Sequence, residues 1–201
     1  SEKEYPSMMG KFFPNYLKNA GADKVLTYSP HSYAAVGHWK DEFGDRYAFV
    51  NNADVMVQSI IELANSGLDI VIGAPDGSNK PQDMAQEQAK LAKAIVSEQL
   101  GKDVPMFFIE KIHKGVSSTE VKGFVGNVQG KDAFILDDMS DSGGTGKNAA
   151  TALWERGARS VTFALGHNLL KRDKLVDLIT AKIPGTDKPL ITRLVVSDSD
   201  P

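Results

Sequence analysis

The sequence predicts an α/β fold, a mostly parallel sheet flanked by helices, and three features predict it. Short apolar runs rich in β-branched and aromatic residues recur along the chain. They are continuous rather than alternating, as in strands buried on both faces. Longer stretches with apolar residues at helical spacing separate them, so strand and helix follow each other as in βαβ units.

The elements follow in order. Residues 10–20 carry Phe12, Phe13, Tyr16 and Leu17 at helical spacing, which predicts a first helix whose aromatic side serves a core or a subunit interface. Residues 24–28 (KVLTY) read as a strand. Residues 54–65 carry Val57, Ile60, Ile61 and Ala64 and read as a helix. A strand is predicted at 69–73 (DIVIG), then a helix at 82–99 with Ala85, Ala89, Ala92 and Val96 on one side. Strands are predicted at 104–110 (VPMFFIE) and 133–136 (AFIL). An Ala-rich helix at 146–156 ends at Gly157, a plausible helix-terminating glycine. Residues 160–165 (SVTFAL) and 191–196 (ITRLVV) are the last strands, with a helix at 171–182 between them. In such sheets ligands bind beyond the C-terminal strand ends. The turn-rich loop APDGSNKP at 74–81 and the long Gly/Ser/Lys-rich segment 112–129, a mobile or hairpin element, both leave the sheet at that kind of position.

Composition narrows the function classes. With 201 residues, 41% hydrophobic and 24% charged, the chain has the balance of a globular protein. It has no cysteine, which excludes disulfides and thiolate metal sites. Lys and Arg total 23 against 26 for Asp and Glu, a net charge of −3, which argues against nucleic-acid binding by bulk charge. No apolar run approaches the roughly 20 residues of a membrane span, and no basic-plus-apolar leader opens the chain. The expectation is a cytoplasmic protein with no membrane and no nucleic-acid partner.

The chemistry concentrates in FILDDMSDSGGTGK at 134–147. A hydrophobic strand ends in Asp137 and Asp138. A short loop carries Asp141, Ser142, Gly143, Gly144 and Thr145, and a helix starts there. The glycines let backbone approach a ligand, and exposed N–H groups at a helix start favour an anion such as phosphate. Thr145 is expected to cap the helix or add a hydroxyl donor. Carboxylates suit sugar hydroxyls or a Mg²⁺ that bridges to other phosphates. Together these describe a site for ribose 5-phosphate. A P-loop reading of GGTGK fails, because Asp141 stands at its first glycine and Asn148 where Ser or Thr must follow Lys147.

FILDDMSDSGGT resembles the phosphoribosyl pyrophosphate binding motif of type I phosphoribosyltransferases, in the form used by the ribose-phosphate pyrophosphokinase family. The resemblance continues through GADKVLTYSPHS at 21–32, APDGSNKPQDMAQEQAKLA at 74–92, FFIEKIHKGVSSTEVKGFVGNVQGK at 107–131, ARSVTFALGHNLL and RLVVSDSDP. It implies a phosphoribosyltransferase-like fold and the transfer of diphosphate from Mg-ATP to ribose 5-phosphate, by a homo-oligomer. It implies Lys111 and His113 as the catalytic cations of a loop that leads into a β-hairpin. Asp137, Asp138 and the segment from Asp141 to Thr145 are implied as the ribose 5-phosphate site, and Asp76 with Gly77 as the diphosphate loop. His31 and Asp76 are implied as metal ligands, with Mg²⁺ the ion. It also implies two lobes. Residues 1–48 are then the remnant of an N-terminal lobe, residues 49–201 a C-terminal one, and the chain a piece of a longer protein.

Some positions depart from the family pattern. His113 stands where the loop typically has arginine, and Lys114 lacks the arginine fork. Ser29 and Pro30 precede His31 where an acidic residue and leucine are usual, and Ser78 and Asn79 follow Gly77 in place of further glycine. Two alternatives stay open: a non-catalytic homologue that binds phosphoribosyl ligands and associates with active subunits, and a transferase acting on a base.

Overall fold

The computed structural model describes residues 8–75, 84–113 and 119–197. The chain divides into two compact units, Ser1–Asn51 and Asn52–Pro201.

The first unit holds α1 (Met8–Asn19), β1 (Val25–Tyr28), α2 (Tyr33–Phe43), a 3-10 turn (Gly44–Arg46) and β2 (Tyr47–Val50). The division falls after Asn51 and not after residue 48, because β2 pairs in parallel with β1, Val25 opposite Tyr47 and Tyr28 opposite Val50. Neither α2 nor β2 is predicted above. Ser32 starts α2 by accepting the Ala35 amide at 3.2 Å, and Gly44 ends it at φ 53°. The small core joins Val36, Phe43 and Tyr47, with Trp39 stacked on Tyr47 at 6.0 Å. Of the α1 aromatics only Phe13 reaches its edge, against Trp39. Phe12, Phe13 and Tyr16 are 57%, 48% and 54% exposed, while the helix buries Pro14 and half-buries Leu17. The expected core role therefore holds in part: Leu17 packs on this core and Phe13 meets Trp39 edge-on at 5.9 Å, while Phe12 and Tyr16 stay on the surface.

The second unit is a six-stranded sheet between two layers of helices. Its elements are α3 (Asn52–Asn65), β3 (Ile70–Ala74), α4 (Met84–Leu100), β4 (Met106–His113), β5 (Thr119–Val125), β6 (Asp132–Ser140), α5 (Gly144–Glu155), β7 (Ser160–Asn168), α6 (Arg172–Thr180) and β8 (Arg193–Val196). The strand order is β5-β4-β3-β6-β7-β8, parallel throughout except for β5, which is antiparallel to β4. Successive residues of one strand enter opposite cores. In β6, Ala133 and Ile135 pack with α5 residues Ala149 and Leu153, while Phe134 and Leu136 pack with α3 and α4 residues Ile60 and Ala89. That is why the strands read as unbroken apolar runs.

Several strands outrun their predicted ends. β6 continues to Ser140 and β7 to Asn168. β4 continues to His113, where the sequence reading expects a loop from Ile112. The cause is β5: the hairpin partner pairs Lys111 with Val121 and His113 with Thr119, so polar residues stay in the ladder, with a bulge between Glu110 and Lys111. Among the described residues no helix is long and apolar enough to cross a membrane.

At the N-terminal end of the sheet, Asp132 is 3% exposed and accepts the Arg159 guanidinium, the Ser160 hydroxyl and the Asp69 amide. Burial pushes its carboxyl up, but these donors outweigh it and hold the group below the usual carboxylate range. This network ties β3, β6 and β7 together at the end of the sheet opposite the acid pair.

Candidate functional site

The C-terminal ends of β6 and β7 and the start of α5 bring most of the sequence-predicted residues of the second unit together. Asp137 and Asp138 are strand residues and are buried, at 7% and 6% exposure. Asp137 lies opposite Leu165 in the ladder. Each carboxylate turns along the strand to accept the next backbone amide: Asp138 N–H donates to Asp137 Oδ1 at 3.1 Å, and Met139 N–H to Asp138 Oδ1 at 2.9 Å. Carboxylates so buried carry a desolvation penalty that hydrogen bonds or a cation must offset.

After Ser140 the chain turns tightly. The Gly143 amide donates to Ser140 Oγ at 3.2 Å, and Gly143 adopts φ 75°, which suits glycine and strains other residues. Gly143 is also the N-cap of α5, so Thr145, the second residue of the helix, is not the cap that the sequence reading considers. No side chain caps this helix. The Gly144 amide makes only a long contact of 3.4 Å with Ser142 Oγ, and nothing among the described residues accepts the Thr145 or Gly146 amides. Three N–H groups at the positive end of a helix dipole therefore point out of the helix within a few residues of two buried carboxylates. Asp141 and Ser142 are exposed beside them.

Gly146 is glycine for a different reason. A Cβ there would lie 2.4 Å from the ring of Phe163, which is completely buried. It sets how closely α5 approaches β7. Lys147, the tempting phosphate ligand of GGTGK, is committed elsewhere: it pairs with Asp177 of α6 and holds that carboxyl below its usual range.

The other predicted residues fall outside this cluster. Lys111 and His113 lie in β4 near the tip of the β4–β5 hairpin, where only their backbone is described. Asp76, Gly77 and Lys114 lie outside the described residues. His31 belongs to the first unit. It is exposed, two residues beyond Ser29, which is buried, has φ 42° and donates its amide to Val50 O at 2.8 Å.

Sequence reasoning misses three residues of the site: Ser140, which anchors the turn, and the pair Asn52 and Gly166. Asn52 opens α3, is fully buried and donates its Nδ2 to the Asp137 carbonyl at 2.9 Å. Only the three-dimensional packing brings them to Asp137, although an asparagine at a helix start is a recognisable local signal.

Among the described residues no group of three His, Asp or Glu gathers to hold a metal ion. The oxygen donors of Asp137 and Asp138 fit Mg²⁺ only when substrate oxygens complete its shell, which is how Mg²⁺ is commonly bound.

Comparison with known proteins identifies the family and the fold. The family described as phosphoribosyl transferase domain matches residues 41–178. A ribose-phosphate pyrophosphokinase of Chlorobaculum tepidum is 27% identical over 99% of this chain and 55% of its own length. One from Maricaulis maris is 30% identical over 94% of this chain and 53% of its own. The crystal structure of phosphoribosylpyrophosphate synthetase from Mycobacterium smegmatis superposes with a TM-score of 0.68 at 25% identity, covering 96% of this chain and 60% of that one. The chain spans about half the length of the curated relatives it matches.

Proposed function

Since the chain belongs to the phosphoribosyl transferase domain family, we propose that it carries the ribose 5-phosphate site of a ribose-phosphate pyrophosphokinase. One observation carries this reading: the first-turn amides of α5, those of Thr145 and Gly146 without an acceptor among the described residues, follow within a few residues of the strand end that holds the buried pair Asp137 and Asp138. The amides suit the dianionic 5-phosphate. The carboxylates suit the ribose hydroxyls.

In the proposed reaction the O1 hydroxyl of ribose 5-phosphate forms a new bond to the β-phosphorus of ATP. The bond from that phosphorus to the oxygen bridging the α-phosphate breaks, AMP leaves, and the hydroxyl proton is released. Binding and orientation by the protein supply most of what such a transfer needs. Asp137 and Asp138 orient the sugar, and Lys111 with His113 brings positive charge to the transferring group. Asp76 and Gly77 line the diphosphate. Mg²⁺, when bound, would neutralise charge on the phosphates, held largely by substrate oxygens with Asp137 and Asp138 as protein ligands; the family resemblance separately gives Asp76, and His31 of the first unit, as metal ligands. Homo-oligomerisation and a cytoplasmic location belong to the same proposal.

A second reading is favoured by His113, a residue only partly charged near neutrality at a position where the family carries arginine. On that reading the protein binds phosphoribosyl ligands without turning them over. AMP formation from ATP in Mg²⁺ buffer, with and without ribose 5-phosphate, separates the two. AMP that depends on ribose 5-phosphate supports the kinase. Saturable ribose 5-phosphate binding without AMP supports the binding homologue, and no binding at all refutes both.

A further inference from the structure

The buried amide of Asn52 has no place in the reaction as written, yet it bonds to the backbone of the acid pair. It opens α3, whose next buried residues Ala53, Met56, Val57 and Ile60 are all apolar. A leucine would fill a fully buried position on that face more cheaply than a carboxamide, which must find partners. The partner it finds is the carbonyl of Asp137, 2.9 Å from Nδ2. That carbonyl belongs to the peptide plane joining Asp137 to Asp138.

Gly166 of β7 makes the room. A Cβ on it would stand 2.8 Å from the Asp138 carbonyl oxygen, 3.0 Å from Asn52 Cγ and 3.2 Å from Asn52 Nδ2. Any other residue at 166 would push against both the acid strand and the carboxamide that holds it. Gly166 has no positive φ among the described glycines that do, so close approach, and not backbone conformation, is what requires it.

We propose that Asn52 is a positioning residue for Asp137 and Asp138, and that Gly166 is the notch that lets it act. The proposal rests on the assignment of ribose 5-phosphate to this site. By fixing one peptide plane, the carboxamide fixes the direction in which both carboxylates leave the strand. Sites of this kind tolerate displacements of only about 0.5 Å or 10–20°, and partners one step behind a ligand typically change affinity by about 10- to 100-fold when removed.

The test uses two ligands with different demands. Ribose 5-phosphate needs both the amides of α5 and the acid pair, whereas inorganic phosphate needs the amides alone. Titration calorimetry in Mg²⁺ buffer at 20 °C would compare wild type with Asn52→Leu, Asn52→Asp and Gly166→Ala, each checked for folding by thermal melting. The aspartate keeps the size of asparagine and removes the donor, so it reads the same contact if the leucine variant does not fold. The expected result is ribose 5-phosphate affinity about tenfold or more weaker, with phosphate affinity unchanged. A merely structural role does not produce that split. Equal affinities for ribose 5-phosphate across wild type and folded variants overturn the proposal, and so does loss of both ligands together. Wild-type protein that holds ribose 5-phosphate no more tightly than phosphate overturns the site assignment itself, and the positioning role with it.

Discussion

Substituting Gly144 by valine separates folding from binding at the start of α5. A Cβ at Gly144 meets only Ser142 Oγ, at the ordinary distance of 3.5 Å, and the residue has no positive φ. Valine is slightly better than glycine in a helix, so stability should move by no more than about 0.5 kcal/mol, or roughly 2 °C in Tm for a chain of this size. The ligand meets a different situation. A charge-assisted hydrogen bond from an amide to a phosphate is worth about 1.5–3 kcal/mol, and an isopropyl group beside the Gly144 amide displaces the anion from at least one. At 1.4 kcal/mol for each factor of ten, ribose 5-phosphate should bind roughly 10- to 100-fold more weakly. Gly146→Ala is the converse. Its methyl would lie 2.4 Å from the Phe163 ring, and overpacking of about 1–3 kcal/mol outweighs the roughly 1 kcal/mol that alanine gains in a helix. Melting and titration calorimetry on both variants read the two effects separately. Unchanged ribose 5-phosphate affinity in Gly144→Val would refute the placement of the anion on these amides. A Tm loss in Gly144→Val matching that of Gly146→Ala would refute the claim that space is open there.

Three further outcomes are expected. Lys111→Ala should lower turnover by about 10³ or more while ribose 5-phosphate affinity stays within twofold, as for a group acting on the transferring phosphate alone; turnover at the parent rate removes Lys111 from the mechanism. Lys147→Ala should leave ribose 5-phosphate affinity nearly unchanged, because the ammonium is engaged by Asp177, whereas a P-loop lysine would cost orders of magnitude; calorimetry decides. Asp132→Ala strands the Asp69 amide, the Ser160 hydroxyl and Arg159 and should cost about 2–4 kcal/mol. Because the folded carboxyl is held below its usual range, its contribution is present above the unfolded value of about 3.9 and is lost as pH falls through the folded one. Below about pH 4 the wild type should therefore lose stability more steeply than the variant; parallel acid melts would contradict this.

What could be read from the sequence, and what could not, follows from where each signal lies. The central strands announce themselves because both faces are buried: Val71 and Ile72 of β3, or Ile135 and Leu136 of β6, pack into opposite cores yet stand side by side in the chain. β2 does not announce itself. It has only four residues, YAFV, of which Ala48 is exposed, and it pairs with a single neighbour. α2 hides for a related reason, since Val36 and Phe43 are the only residues it buries and polar residues separate them. The α1 aromatics mislead in the other direction. Phe12 and Tyr16 have the spacing of a buried face, and stack on each other at 6.0 Å, but within this chain they lie on the surface. Periodicity reports that a helix has an apolar side; what covers that side is a tertiary question.

The candidate site divides the same way. Asp137 through Thr145 form one continuous stretch, so a strand end, a glycine turn and a helix start can be read together without knowing any distant contact. The anchor of that stretch cannot. Asn52 stands 85 residues before Asp137 in the chain, and Gly166 lies on the next strand. An asparagine at the start of an apolar helix is ordinary capping chemistry, and a glycine inside a β run only suggests close approach to something. It is the geometry that joins the two signals. The distance from Nδ2 to the Asp137 carbonyl gives the asparagine its partner, and the space beside Gly166 explains why that partner can be reached. The same logic separates the glycines of DSGGTG, which look alike as letters. Gly143 is held by its φ of 75°, Gly146 by the ring of Phe163, and Gly144 by neither. Gly144 is thus the glycine of the three with no structural requirement among the described residues, and on the proposed function a ligand approaching its amide is what keeps the position free of a side chain.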